Sequence, residues 1–335
     1  MSDPRARLTY ADAGVDVSAY DGMLARVRTL VESTHAAGAR GGIGAFSGLY
    51  DLPGNRARLA ATADGVGTKT KVAVAAGSHR GIGHDLVNHC ANDVATAGAT
   101  PLFMLDYFAS ARLDESVFSD VISGLAEACR AIGCTLLGGE TAEMPDVYAV
   151  GDYDLAGFMV GLVEPDVAPE VAAIRPGDAL FALPSSGLHT NGYSLVRRVF
   201  GDVSLRHVYP ELGVPLAEEL LKPHRCYLRE LSALRGAWKA AAHITGGGVL
   251  GNLPRCLPEG LGAVLDAGSW RVPPIFGLLA RLGSIDDDDM YATFNMGLGM
   301  ILVIDPDRIP ADVPPDLVRV GDVVERRGAQ RVVFR

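Results

Sequence analysis

Apolar positions along the chain follow two rhythms. From about residue 20 to 35, Met23, Leu24, Val27, Leu30 and Val31 recur at the three-and-four spacing of a one-sided helix. Residues 59–63, 102–108, 134–137 and 153–163 form short apolar runs, which read as strands. Between these runs, residues 81–98 and 116–133 read as helices. The first ends at Gly98 with Pro101 beyond it, and the second opens near Asp114 or Glu115. In the first, Leu86, Cys90, Val94 and Ala97 make one apolar face. Asp85, Asn88 and Asn92 then point away from it, and Asp93 sits at its edge. Residues 164–178 carry Pro165, Pro169 and Pro176 and mark a change of rhythm. Beyond them, strands at 179–183 and 301–304 frame helices at 193–200, 216–221 and 224–234. The pattern predicts an α/β (α+β) protein of two domains, 1–168 and 169–335.

Composition narrows the function. Of 335 residues, 48% are hydrophobic and 21% charged, as in a globular protein large enough for two cores. The formal net charge is −10 without a Lys/Arg cluster, which argues against nucleic acid as a partner. No apolar run reaches the ~18 residues of a membrane span, and no secretory signal opens the chain. A cytoplasmic protein with no membrane partner is expected. Cys90, Cys129, Cys134, Cys226 and Cys256 are odd in number and form no C-x-x-C, so they read as free thiols of a reducing compartment.

The candidate chemistry lies where glycines meet acids. Gly41, Gly42, Gly44 and Gly48 make either a lid over phosphates or a flexible connector. Asp64-Gly65-Val66-Gly67-Thr68-Lys69 follows a strand, and its backbone N–H groups and lysine suit an anion. A tight turn with a solvated lysine is the alternative. The segment is neither a Walker A loop nor a Rossmann fingerprint. Asp93 is either a metal ligand or half of a salt bridge. Asp106 interrupts a buried strand, and Glu140 follows Gly138-Gly139 at a strand end. Asp64, Asp93, Asp106 and Glu140 are expected to converge on a Mg²⁺ that bridges phosphates. His84 and His89, five apart, do not align as a zinc pair and read as surface or hydrogen-bonding residues. Ser185, Ser186, His189, Thr190, Asn191 and Gly192 precede a helix and could bind an anion. His189 could bind substrate there or be a surface residue. Thr245, Gly246, Gly247 and Gly248 form a second phosphate cradle or a break between helices.

These segments, together with Tyr10-x-Asp-Ala-Gly-Val-Asp16, Asn92-Asp93 and Thr293-Phe294-Asn295-x-Gly-x-Gly-Met300, occur in one order over nearly the whole chain. In that order the chain resembles the phosphoribosylformylglycinamidine cyclo-ligase (aminoimidazole ribonucleotide synthetase) family. The resemblance implies ATP-dependent closure of the imidazole ring of 5-phosphoribosyl-formylglycinamidine. It also implies a homodimer whose N-terminal domains close a shared β-barrel. It places Gly42, Gly44, Asp64, Gly65, Gly67, Thr68, Lys69, Asn92 and Asp93 at ATP. It places Ser185, Ser186, His189, Thr190, Asn191, Gly192, Thr245, Gly246, Gly247, Gly248 and Asn295 at the nucleotide substrate, with His189 and Lys69 as catalytic candidates. Gly251 and Ala292 depart from the family pattern, which has glutamate and arginine there. The competing readings are another ATP-dependent phosphoryl-transfer enzyme of the same superfamily, such as thiamine-monophosphate kinase, selenophosphate synthetase or a hydrogenase-maturation protein, and a non-catalytic nucleotide-binding assembly protein.

Overall fold

The structure, a computed structural model, describes residues 8–15, 17–41 and 44–335. In chain order the first half forms α1 (Val17–Glu32), β1 (Ala39–Arg40), β2 (Gly48–Asp51), β3 (Arg58–Gly65), α2 (Lys69–Ala76), α3 (Arg80–Ala95), β4 (Thr100–Ser110), α4 (Glu115–Ile132), β5 (Thr135–Glu143) and β6 (Tyr153–Val163). Its strands make one mixed sheet in the order β1-β2-β3-β6-β4-β5, with only β4 and β5 parallel among these neighbours. The second half forms β7 (Ala179–Pro184), α5 (Tyr193–Phe200), α6 (Leu216–Leu220), α7 (Leu228–Ala233), β8 (Trp238–His243), α8 (Gly248–Asn252), β9 (Leu261–Leu265), α9 (Pro274–Gly283), α10 (Asp287–Thr293), β10 (Leu298–Ile304), β11 (Val318–Glu325) and β12 (Val332–Phe334). Its sheet runs β12-β9-β11-β7-β10-β8. The chain is thus a two-domain mixed α/β protein.

Strand alternation decides which residues face the first core. Met104 and Phe108 of β4 and Leu155 and Met159 of β6 point inward and are buried against Leu86, Cys90 and Val94 of α3 and Val121 and Leu125 of α4. The opposite face carries Leu105, Tyr107, Leu137 and Phe158, all exposed. Helix α4 starts where Asp114 accepts hydrogen bonds from the N–H groups of Ser116 and Val117, and it stops at Gly133 in the left-handed conformation. Helices α3 and α4 cross through glycine: a Cβ on Gly83 would stand 2.3 Å from the Val121 carbonyl oxygen.

The pattern of α3 misled in one respect. Asp85 and Asn92 are fully buried rather than turned to solvent. The apolar face covers the first sheet, while the polar face is covered by the second domain. There Asp85 accepts from His224 N at 2.7 Å, Asn88 Nδ2 donates to His224 O at 2.7 Å, Asn92 Nδ2 donates to Arg225 O at 2.8 Å, and Asn92 Oδ1 accepts from Tyr227 N at 2.8 Å. Residues 224–227, expected to open a helix, are irregular chain whose backbone polar groups are satisfied by α3 side chains. In α1 the expected stripe exists, but Met23, Val27, Leu30 and Val31 are exposed.

Candidate active site

The glycine loops converge where the two domains meet. Gly67, with φ at +55°, lies against the Thr190 carbonyl. Thr68 Oγ1 is 3.3 Å from Ser194 Oγ, so the first turns of α2 and α5 face one another, and neither helix has a side-chain cap. Asn191 Oδ1 borders Gly246. Arg255 donates to the Gly44 carbonyl at 2.8 Å and the Ala45 carbonyl at 2.9 Å, and its guanidinium lies over the Phe46 ring. Arg255 also donates to Asn252 Oδ1, and Asn252 Nδ2 holds the carbonyls of Thr245, Gly246 and Gly248. A rim of half-buried and exposed residues results: Gly44, Asp64, Gly67, Thr68, Asn191, Ser194, Thr245 and Gly246. Gly42 lies outside the described residues.

Several expected site residues take other places. Lys69 is wholly buried. Its ammonium contacts Asp85 and donates to His189 O at 3.0 Å and Lys222 O at 2.8 Å, which leaves it no hydrogen for a phosphate. Asn92 is spent on the second domain's backbone, as described above. Gly248 makes no cradle, because a Cβ there would meet the Tyr291 carbonyl oxygen at 2.0 Å; it is glycine so that α8 and α10 can touch. Asn295 is buried and bonds Gly187 O, Gly297 N and Ser185 Oγ. Ser186 Oγ donates to Pro223 O. Gly192 opens α5 with φ at +78°, packed on Phe294. At the departures from the family pattern, a Cβ on Gly251 meets open space, and Ala292 is exposed.

The four acids do not gather. Asp64 Oδ2 binds His89 Nε2 at 2.8 Å, and its Oδ1 accepts from Gly65 N. Asp93 is buried, with Oδ1 on His243 Nδ1 at 2.8 Å and Oδ2 on Thr62 Oγ1 at 3.3 Å. Asp64 and Asp106 flank Gly157 in the same ladder row, but Met104 and Leu86 fill the space over that glycine. Asp106 is half-buried, and burial pushes its carboxyl up. Glu140 pairs in register with Tyr107 and stands on the outer face, exposed. Among the described residues, no cluster able to hold a metal contains two of these acids. Asp93, with His89 and His243, does belong to a group whose ligand atoms lie close enough to share one ion.

What does assemble is imidazole. His89, His189, His224 and His243 are all buried at the junction. Nothing in the spacing singles out His224 or His243. Of the two readings of His89, the hydrogen-bonding one holds, since it is buried and bonds Asp64 and Thr190. His189 and His224 stack at 3.9 Å with planes 20° apart. A metal must lie in the plane of each imidazole that ligates it, and near-parallel stacked rings cannot both meet that condition, so this pair is no metal site. The expected proton-transfer role of His189 also lacks geometry: its Nε2 accepts from Ser186 N, and its Nδ1 is buried without a partner. Burial lowers the pKa of His189, His224 and His243. Burial opposes the charge on His89 too, but the neighbouring Asp64 carboxylate outweighs it and holds that imidazole up at about 9. Asp64 is correspondingly held below the usual carboxylate range: burial would raise it, but the His89 charge and hydrogen bonds prevail.

Two α/β domains closing on a cleft of glycine loops define the class. The family model described as AIR synthase related protein, N-terminal domain, matches residues 44–163, and its C-terminal counterpart matches residues 175–333. A protein of Myxococcus xanthus named phosphoribosylformylglycinamidine cyclo-ligase is 48% identical over 96% of this chain and 93% of its own. One of the same name from Thermoanaerobacter is 43% identical over 95% of each. The chain belongs to the phosphoribosylformylglycinamidine cyclo-ligase family. Solved structures show the same fold at greater distance. AaThiL complexed with AMPPCP and TMP has a TM-score of 0.64 at 17% identity, covering 93% of this chain and 94% of that one. A HypE–HypF complex gives 0.61 at 17%, covering 86% and 89%.

Proposed function

We propose that the protein closes the imidazole ring of 5-phosphoribosyl-formylglycinamidine, converting ATP to ADP and phosphate and yielding 5-aminoimidazole ribonucleotide for purine biosynthesis. The observation that carries this reading is the near-full-length identity to proteins named for that activity. The fold neighbours, all more distant, support the architecture alone.

The chemistry calls for positioning. A formyl oxygen is a poor leaving group, and transfer of the γ-phosphoryl group turns it into phosphate. The amidine nitrogen then attacks the formyl carbon, phosphate departs and the nitrogen loses a proton. Most of the catalysis is orientation of two bound reactants and neutralisation of charge. On the nucleotide side of the cleft we assign Gly44, Gly65, Gly67 and Thr68. On the substrate side we assign Ser185, Ser186, Asn191, Gly192, Thr245, Gly246 and Gly247. The uncapped N–H groups of α2 and α5 add donors for anionic oxygens. Mg²⁺ bound with the triphosphate would neutralise its charge, and Asp64 and Asp93 are the carboxylates proposed to hold it. No step is routed through the scattered acids.

The working form is read as a cytoplasmic homodimer. The exposed apolar face of the first sheet, with Leu105 and Phe158 in register across β4 and β6, suits a second copy closing a shared barrel. Domains 1–168 and 169–335 are the proposed units of nucleotide binding with dimerisation and of substrate binding.

The direct experiment mixes purified protein with ATP, Mg²⁺ and formylglycinamidine ribonucleotide. Phosphate and aminoimidazole ribonucleotide should appear together, and neither should form when the ribonucleotide is omitted. Phosphate release with no imidazole product would overturn the assignment.

A further inference from the structure

Arg255 joins the two sides of the cleft. It stands in the 3₁₀ turn Leu253–Cys256 that follows α8, and each of its three guanidinium nitrogens serves a different oxygen. Nε donates to Gly44 O at 2.8 Å, Nη2 to Ala45 O at 2.9 Å and Nη1 to Asn252 Oδ1 at 2.8 Å. The guanidinium carbon lies 4.0 Å from the centre of the Phe46 ring. Residues 44–46 come from the first half of the chain, and the Phe46 carbonyl accepts from Thr62 Oγ1 of β3 at 3.2 Å. The Phe46 side chain is nevertheless buried in the core of the second domain, in one cluster with Ile174, Val249 and Leu253.

Asn252 carries the contact onward. Its side chain is buried, and Nδ2 faces the carbonyls of Thr245 at 3.3 Å, Gly246 at 3.1 Å and Gly248 at 2.8 Å. Oδ1 also accepts from Thr245 Oγ1 at 3.4 Å. The amide can sit only one way round, because the guanidinium donates and never accepts, so it must meet the oxygen. Arg255 thus fixes the orientation of the group around which the turn 245–248 is wrapped. Its own fork is planar and rigid, with donor directions set by the guanidinium frame. A shift of the Gly44 and Ala45 carbonyls must swing that plane, and with it the Asn252 oxygen and the three carbonyls held by the same amide. Gly44 and Gly246 are both exposed at the cleft, one at each end of this chain of contacts.

We propose that Arg255 is a positioning residue that makes the binding of the two substrates mutually reinforcing. The pose of residues 44–46 that suits ATP and the pose of turn 245–248 that suits the ribonucleotide are selected together through its three hydrogen bonds. This rests on the reaction proposed above, with its nucleotide side at Gly44 and its substrate side at Thr245 and Gly246. The coupling has a chemical use. A γ-phosphoryl group set for transfer before the formyl oxygen is in place can be lost to water, and a nucleotide side that is completed only when the substrate side is filled avoids that loss. Lysine cannot substitute, because a single ammonium nitrogen cannot occupy the three separate positions from which the guanidinium nitrogens donate.

The test is a thermodynamic cycle on the full chain, by isothermal titration calorimetry, with Mg²⁺ and β,γ-methylene ATP as one ligand and 5-phosphoribosyl-formylglycinamidine as the other. In the unaltered protein each ligand should tighten the other on the order of 10-fold, by the same factor in both directions. In Arg255→Lys that factor should fall below about twofold, whatever the affinity for each ligand alone. A loss of packing would weaken one or both affinities without touching the ratio. An unaltered protein with no mutual tightening, or an Arg255→Lys protein that keeps it in full, would overturn the proposal. Hydrogen exchange on the unaltered protein needs no variant. The ribonucleotide alone should slow exchange in peptide 44–51 as well as in peptide 245–252. Slowing at 245–252 with none at 44–51 would sink the coupling and leave the functional reading intact. Slowing at neither, with no imidazole product formed, would sink that reading itself.

Discussion

The Lys69 ammonium lies 2.9 Å from one oxygen of the Asp85 carboxylate and 2.8 Å from the other, with both side chains fully buried. Both residues belong to the first domain, yet the same ammonium holds the carbonyls of His189 and Lys222 in the second. The pair is therefore a clamp between domains. Lys69→Met would strand a buried carboxylate and should cost about 3–5 kcal/mol in denaturant unfolding. The double change Lys69→Met/Asp85→Leu should cost clearly less than the two single changes added together. Simple additivity would mean the two charges do not depend on one another.

How much of this was legible in the sequence depended on how local the cause was. Helix α5 and strand β6 were readable because their apolar runs and flanking glycines set their ends. The polar face of α3 was not readable. A periodic stripe says which side is apolar, but not whether the other side meets water or a second domain. Lys69 looked like a phosphate ligand because it follows two glycines, and its partner Asp85 only becomes visible once α2 and α3 are packed. His89, His224 and His243 come from a helix, an irregular segment and a strand end, and no spacing rule joins them. The motif order nevertheless identified the family, because it depends on glycine turns that are local.

Stability should be greatest in a window set by the same histidines. His89 is raised from 6.5 to about 9, so its contribution is complete below pH 6.5 and is lost as pH rises through about 9. His189, His224 and His243 are depressed by burial, so the unfolded chain binds protons there that the folded one does not. Their effect runs the other way: stability falls as pH drops below 6.5. Asp64, held low, adds a further loss only in stronger acid. Unfolding free energy measured against pH at fixed salt should peak near pH 6.5 and fall between about 6.5 and 9, and His89→Asn should flatten that alkaline fall. A maximum below pH 6 would contradict the buried neutral imidazoles.

The outer face of the first sheet offers a test of assembly that is separate from folding. Phe158 is 41% exposed and Leu137 62% exposed, and neither faces the inner core of the chain. Phe158→Asp should therefore leave thermal unfolding of the isolated chain nearly unaffected while placing charges in a dimer interface. Sedimentation should show a dimer for the unaltered protein and a monomer for the variant. A monomer in both would exclude the shared barrel.

Two glycines three positions apart in α8 should respond oppositely to the same added methyl group. Gly248 has φ at +58°, and its added Cβ would lie 2.0 Å from the Tyr291 carbonyl oxygen, a backbone atom that cannot swing away. Gly248→Ala combines about 1–2 kcal/mol of left-handed strain with about 1–3 kcal/mol of overpacking. It should also shift α8 and, through Asn252, the carbonyls of the 245–248 loop, raising KM for the ribonucleotide. Gly251 lacks a positive φ, and its added Cβ meets nothing within 4 Å. Gly251→Ala only restricts the unfolded chain and should stabilise by about 0.4–1 kcal/mol with kinetics unchanged. Parallel melting curves and KM values for the two variants check both signs at once. Equal destabilisation would mean that the loop tolerates no change at all, and that contact with α10 is not what demands glycine at 248.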